Sequence, residues 1–414
     1  MSGRLAAAAI DGGELALGGG LLALVRPALD LLEPGGVLAV LSSSAGARQD
    51  LPSWCRLERH EYLGCEATPD GRDRHLLQRG PAALEDAAPG PPLPLREGRL
   101  LAADVLRAHP LPERADPASG FAPRGARRET GGPAYPFTLV ERDRVAPPEV
   151  GQLYDQAVAA QWDGTRDIPW ASAGGLPPAL EAAVAQVMSF LAENELSALY
   201  VPARFLPRIH PAYAEVALFL ASQLADEARH IDVFLKRARL AGGRSAASSV
   251  TTARSLLALM ELEDFSEAAF LLSVLGEGTF LDLLRFVEAH APDAATAELA
   301  RRARADESRH VHFGLAHVQH ALAHDPALYA RLEAAVRRRA ATLAGAGGVS
   351  APLQDALTVL AAGGTEPRAV ARGHEAYRAL LEAMGEGRKR RLRQAGFSEE
   401  QAQRISDLHT PNFM

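Results

Sequence analysis

The sequence predicts a mainly α protein: a four-helix bundle with added helices, preceded by a small α/β two-layer domain. Three observations predict it. From about residue 151 the chain runs to its end in long Ala/Leu-rich amphipathic segments. Before residue 80, short helix-like and strand-like apolar runs alternate across Gly/Pro turns. The pentapeptide Asp-Glu-x-Arg-His occurs twice, as Asp226-Glu227-Ala228-Arg229-His230 and Asp306-Glu307-Ser308-Arg309-His310.

Residues 1–80 read as the α/β unit. A helical segment from Leu21 to Leu32 ends at the Glu33-Pro34-Gly35-Gly36 turn, and the strand Val37 to Leu41 follows. A second helix is expected from Gln49-Asp50-Leu51-Pro52, with Pro52 in its first turn. Residues 81–150 hold 13 of the 28 prolines and read as a linker or wrapping arm. Residues 151–325 form the bundle, and residues 326–414 a C-terminal helical extension. Ser398 with Gln401 reads as a capping box opening a last short helix.

The whole chain bounds the function classes. Across 414 residues, 47% hydrophobic and 23% charged content suits a globular core. A net charge of −7 gives no general attraction to nucleic acid or to an anionic membrane. The most apolar early stretch, Leu15 to Leu41, is cut by Arg26, Asp30, Glu33 and Pro34, so no membrane span is expected. Two cysteines, Cys55 and Cys65, are too few for a disulfide framework and read as buried small side chains. With no signal peptide visible, a cytoplasmic location is expected.

Glu and His three apart share one helix face, so each pentapeptide can offer a carboxylate and an imidazole to one ion. Roughly one Glu-x-x-His is expected by chance, but a repeated four-residue match is not. Two such helices facing each other can hold a pair of metal ions, and a four-helix site then needs a further carboxylate from each remaining helix. Glu277 continues the stripe of Phe270, Val274, Leu281 and Leu284, where an unliganded carboxylate would be costly. On the first helix, Glu195 shares a stripe with Val184, Met188, Leu191 and Ala198, whereas Glu193 faces with Gln186 and Phe190. Glu195 is preferred.

The breaks at His210-Pro211 and Ala291-Pro292-Asp293 lie near the middle of each helix pair. Similar separations from a turn place Glu195 level with Glu227 and Glu277 level with Glu307. Pro202 and Pro207 are expected to kink or unwind the first helix below Glu195. A carboxylate-rich set of this kind suits iron or manganese better than zinc. Asp226 and Asp306 read as acceptors for imidazole N–H groups, with an exposed helical charge as the alternative. Arg229 and Arg309 read either as bundle-crossing ion pairs or as surface residues.

At these residues the chain resembles the ferritin-like di-iron carboxylate superfamily. The Asp-Glu-x-Arg-His form is most similar to the hydroxylase subunits of bacterial multicomponent monooxygenases, with acyl-carrier-protein desaturases and ribonucleotide reductase small subunits as wider relatives. The resemblance covers roughly residues 150–325. It implies iron ligands Glu195, Glu227, His230, Glu277, Glu307 and His310, with two Fe ions or a Mn/Fe pair. It also implies that Asp226 and Asp306 each reach the histidine of the opposite motif. Radical-generating reductase subunits usually carry a tyrosine where this chain has Phe234. Arylamine N-oxygenases add a histidine where it has Ala303, so a tyrosyl radical and that subgroup are disfavoured.

Residues 1–80 resemble the small TusA/SirA-type sulfur carriers through Glu33-Pro34-Gly35-Gly36 and Asp50-Leu51-Pro52-Ser53-Trp54-Cys55. Gly18-Gly19-Gly20 stands where that family's Cys-Pro motif falls, so a docking or structural role is expected instead.

Other signals are weaker. Trp162 and Trp170, around Asp167-Ile168-Pro169, could cover the site or simply pack. His310, His317 and His324 recur every seven residues and could share an inner stripe, with His317 expected to be a hydrogen-bonded structural histidine. Tyr200 reads as packing or as a relay. Arg388-Lys389-Arg390-Arg391 reads as a docking patch for an acidic partner or as solvated charge. The expected function is an oxygenase or oxidase that activates dioxygen to oxidise a small molecule or a carrier-bound acyl or aminoacyl group. An electron-donor protein and a homodimer are expected with it, and the alternative is a non-enzymatic iron-storage or sensing protein.

Overall fold

The computed structural model describes residues 5–81, 84–85, 90–129, 131–240, 242, 246–343 and 348–408. The chain divides into two compact units, Met1–Pro89 with Gly125–Pro133, and Gly90–Arg124 with Ala134–Met414.

The first unit runs β1 (Ala8–Gly13), α1 (Leu21–Asp30), β2 (Val37–Ser42), α2 (Ala47–Leu57), β3 (Glu61–Ala67) and β4 (Asp73–Gln78). The sheet order is β1-β2-β4-β3, with β1 parallel to β2 and the other pairs antiparallel. The parallel pair requires a crossover, which α1 supplies. Gly20 enters that helix at φ 108°, where a side chain would be strained. Strand β2 is apolar on both faces because it is central: Leu38 and Val40 pack with the helices, while Val37 and Ala39 pack with Leu76 opposite.

Two expectations change here. Helix α2 begins at Ala47, so Pro52 lies inside it rather than in its first turn. Burial of Ala47, Leu51, Trp54 and Cys55 at helical spacing draws the start upstream. Cys65 is at the surface, not buried, because β3 is an edge strand.

The second unit is helical: α3 (Ala102–Arg107), α4 (Val150–Ala159), α5 (Pro178–Ala203), α6 (Ala214–Arg239), α7 (Val250–Met260), α8 (Phe265–Ala269), a π-helical segment (Phe270–Glu277), α9 (Gly278–Ala289), α10 (Ala294–His324), α11 (Leu328–Leu343), α12 (Ala351–Ala362), α13 (Pro367–Gln394) and α14 (Glu399–Leu408). Helices α5 and α6 pack as one hairpin, and the π segment with α9 packs on α10 as the other. The chain is thus mainly α, with a small N-terminal four-stranded sheet.

Capping starts the helices where short polar residues allow it. The Asp293 carboxylate accepts from Thr296 N at 2.7 Å to open α10. Ser398 N donates to Gln401 Oε1 at 2.7 Å and Gln401 N to Ser398 Oγ at 3.2 Å, a reciprocal box before α14. Pro202 falls in the last turn of α5 and Pro207 in the 3₁₀ turn Leu206–Arg208, so the α-helix gives way below Glu195, as expected, and is unbroken at Glu195 itself. Pro202 has no N–H for the Ala198 carbonyl, and that lost bond lies past Glu195.

The core extends past the bundle at both ends. Leu139, Val140, Val145 and Ala146, from the proline-rich stretch, are buried in it, and so are Leu357, Tyr377, Leu380 and Leu392 from α12 and α13. Arg388 and Arg391 are also buried, which corrects the solvated-patch reading of that basic run. They lie on the inner face of α13, where Arg388 donates to Ser406 and Arg391 to Asp282. Among the described residues no helix is long and apolar enough to cross a membrane.

Helix α10 meets the π segment closely at Gly314. A Cβ there would stand 2.6 Å from Ser273 Cβ and 3.3 Å from Val274 Cγ2. Gly314→Ala is therefore expected to destabilise the protein by about 1–3 kcal/mol, read by chemical unfolding.

Candidate metal centre

Four helical elements deliver six ionisable side chains to the bundle interior: Glu195 from α5, Glu227 and His230 from α6, Glu277 from the π segment, and Glu307 and His310 from α10. All six are at most 2% exposed. Potential ligand atoms of Glu195, Glu227, His230 and Glu307 lie within 4.8 Å of one another, and so do those of Glu227, Glu277, Glu307 and His310. Glu227 and Glu307 belong to both sets.

The two shared carboxylates divide their oxygens. Glu227 Oε2 is 3.4 Å from His230 Nδ1, and its Oε1 is 3.0 Å from His310 Nδ1. Glu307 Oε1 is 3.3 Å from His230 Nδ1, and its Oε2 is 3.5 Å from His310 Nδ1. Glu195 Oε1 lies 3.8 Å from His230 Nδ1, on the first side. On the other side, Glu277 accepts a hydrogen bond from Gln223 Nε2 at 3.1 Å through Oε1. Glu193 instead points outward, accepting from Ser248 Oγ at 2.5 Å.

Both histidines are held from behind. His230 Nε2 bonds to Asp306 Oδ2 at 3.1 Å, and His310 Nε2 to Asp226 Oδ2 at 3.3 Å, so each motif supports the imidazole of the other. With the carboxylates accepting from Nε2–H, each Nδ1 lone pair faces the centre. Arg229 and Arg309 cross the bundle in the same sense, to Asp306 and Asp226, each at 3.1 Å. The aspartates are buried, not exposed helical charges.

Trp162 adds a further support, its Nε1 donating to Asp306 Oδ2 at 2.8 Å. The Arg229 guanidinium sits 4.7 Å from the Trp162 ring centre. Gln161 donates to Asp226 at 3.2 Å and accepts from Arg229 at 2.7 Å. Trp170 is half-buried and donates to the Gly164 carbonyl, away from this network.

The electrostatics of the cluster are severe. Burial pushes Glu195 and Glu277 well above the usual carboxylate range, and neighbouring glutamates reinforce it. Burial also acts on Glu227, but His310 and His230 together outweigh it and hold the group well below that range. For His230 and His310 burial disfavours the charged ring, yet the surrounding carboxylates override it and raise both.

Eight atoms of this set have no hydrogen-bond partner: Glu195 Oε1, both oxygens of Glu227 and Glu307, Glu277 Oε2, His230 Nδ1 and His310 Nδ1. Buried polar atoms are almost always satisfied, and here the orphans converge on one volume. Two cations fit that donor set. Each would take one imidazole nitrogen, one carboxylate of its own and one oxygen from each shared glutamate. Asp306→Asn is accordingly expected to weaken metal binding by ~10–100-fold with the fold intact, read as metal content against free metal.

Other singled-out residues lie outside the centre. His317 is buried and pairs through Nε2 with Ser266 Oγ at 3.0 Å, and burial lowers it to about 4. His324 is 41% exposed, so the seven-residue histidine spacing is not a continuous inner stripe. Its position in the last turn of α10 carries it to the surface. Tyr200 is exposed on α5. Phe234 and Ala303 are fully buried, Phe234 with its ring centre 6.2 Å from that of His230. Sequence reasoning missed Gln223, which sits one helical turn before Glu227 and could have been found on that face.

Fold and site together define a helical bundle enclosing a paired carboxylate–imidazole centre. No protein-family model and no curated protein matches the chain. Similar solved structures include an R2-like ligand-binding oxidase with an aerobically reconstituted metal cofactor after photoconversion, at 20% identity and a TM-score of 0.47, covering 59% of this chain and 92% of that one. Mutants of such an oxidase with aerobically reconstituted Mn/Fe and Fe/Fe cofactors match at 20% identity and a TM-score of 0.47, each covering 60% of this chain and 93% of the other. No match supports the sulfur-carrier resemblance of residues 1–80.

Proposed function

We propose that the protein is an oxidoreductase whose paired metal centre activates dioxygen to oxidise a small organic substrate. One observation carries the reading: Glu227 and Glu307 each present one oxygen to either histidine nitrogen, as bridging between two ions requires. In this reading Glu195 and His230 complete one position, and Glu277 and His310 the other. The carboxylate-rich donor set favours an Fe/Fe or Mn/Fe pair. When bound, such a pair supplies the electrons that reduce dioxygen and the oxidising power passed to substrate.

The chain's own groups do the rest. Asp226 and Asp306 keep the protons on the two Nε2 atoms, so both Nδ1 atoms stay available as donors. Phe234, fully buried with its ring centre 6.2 Å from that of His230, sets apolar surface beside the centre and helps keep out water. A narrow cavity of about 20 Å³, lined by Val201, Phe205, Leu220, Leu272 and Phe313, reaches Gln223, the residue bonded to Glu277. With room for about one water-sized molecule, its largely apolar lining suits dioxygen.

Hydroxylation by a monooxygenase, desaturation and N-oxygenation all draw on this centre. An electron-donor protein supplies reductant, and the substrate is free or borne on a carrier. The cytoplasm and a homodimeric assembly complete the reading. Its support on location is two cysteines present as free thiols.

The test is dioxygen uptake by the metal-loaded protein with reductant and a panel of small apolar substrates, followed by product analysis. The reading predicts substrate-dependent uptake and an oxidised product. Iron that merely oxidises and accumulates beyond two ions per chain would establish storage instead.

A further inference from the structure

We propose that Asp143, His320 and His324 form a second metal site, on the surface of the helical unit, for a divalent transition ion, with zinc the best match. It is separate from the paired centre: His320 lies ten residues beyond His310 on α10, about 15 Å along the axis.

The three side chains already face one another. His324 Nε2 is 3.6 Å from Asp143 Oδ1, and His320 Nε2 is 3.9 Å from the same oxygen. One potential ligand atom from each lies within 4.8 Å of the other two. The histidines are four apart on one helix face, with ring centres 4.6 Å apart. Asp143 comes from the 3₁₀ turn Arg142–Arg144, which packs on α10.

The hydrogen bonding prepares the nitrogens for an ion. His324 Nδ1 bonds to the His320 carbonyl at 2.8 Å, which places the proton there and leaves the lone pair on Nε2. His320 Nε2 is buried and has no hydrogen-bond partner, an orphan that a cation would satisfy. The last turn of α10, which carries His324, adds the partial negative charge of a helix C-terminus. Arg142 Nε stands 3.4 Å from Asp143 Oδ1, but that pair is part-exposed and weak enough to yield to a dication.

Two imidazoles and one carboxylate, with water in the fourth position, match the tetrahedral preference of zinc. Ligand atoms about 2.0–2.2 Å from zinc stand roughly 3.3–3.5 Å apart, so each imidazole needs to close on Asp143 by only about 0.5 Å or less. The nitrogen-rich set also separates this site from the carboxylate-rich centre, which favours iron or manganese.

The experiment takes tag-free protein with its paired centre filled, equilibrates it with zinc chloride and counts bound zinc, iron and manganese per chain. Wild-type protein should bind one zinc that His324→Ala and Asp143→Asn each weaken by at least ~10-fold, with iron and manganese content unchanged. Both substituted residues are part-exposed, so the fold is retained, and the wild-type melting temperature without zinc verifies it. Equal zinc binding by wild type and both variants would overturn the proposal.

Discussion

Glu227→Ala is expected to empty the whole centre, whereas Glu195→Ala and Glu277→Ala should each weaken one position. The difference follows from which side chains are shared. Glu227 sets one oxygen 3.4 Å from His230 Nδ1 and the other 3.0 Å from His310 Nδ1, so its loss removes a donor from both ions. It also removes the carboxylate screening two ions held close together in a site of low dielectric. Binding at both positions should fall by at least ~100-fold, beyond the range seen when only a supporting partner is lost. Glu195 and Glu277 each belong to one donor set, and their loss should leave about half the metal. Metal content by mass spectrometry, with melting curves to verify folding, reads all three variants. Loss of one ion from Glu227→Ala, or of both from Glu195→Ala, would show that the oxygens are not divided as described.

Chelation of both ions should cost much of the protein's net stability. Binding to the folded state alone stabilises by about 4 kcal/mol per ion when free metal is a thousand-fold above its dissociation constant. Two ions give about 8 kcal/mol, against a typical net stability of about 5–15 kcal/mol. The metal-free centre leaves four glutamates and two histidines packed in the interior, eight of their atoms without partners. The metal-free protein should therefore melt well below the loaded protein, and readdition of iron or manganese should restore the loss. Identical unfolding of the two forms would mean that the cluster is satisfied without metal.

Much of this was legible in the sequence, and the reasons are specific. The two Asp-Glu-x-Arg-His copies sit on unbroken α-helices, where spacing translates directly into direction. The stripe of Val184, Met188, Leu191 and Ala198 distinguishes the buried Glu195 from Glu193, which meets Ser248 at the surface. Periodicity also picked out Glu277, but it could not tell the type of helix that carries it. Every residue from Phe270 to Glu277 is buried, so no polar face remained to mark a π-helix, a form that concentrates at functional sites.

Trp162 and Gln161 were equally hidden, because their partners Asp306, Asp226 and Arg229 lie far along the chain and only tertiary packing joins them. The basic run misled for a related reason. Charge in sequence reads as solvated, yet α13 turns Arg388 and Arg391 inward against Ser406 and Asp282. The proline-rich stretch misled through composition alone, since Leu139, Val140 and Val145 enter the main core.

The central claim is that one buried cluster holds a pair of redox-active ions, and metal analysis of protein purified from its native source tests it most directly. The account predicts two ions per chain, both iron or one iron with one manganese, before any surface zinc is counted. A single zinc per chain, with neither iron nor manganese, would contradict it.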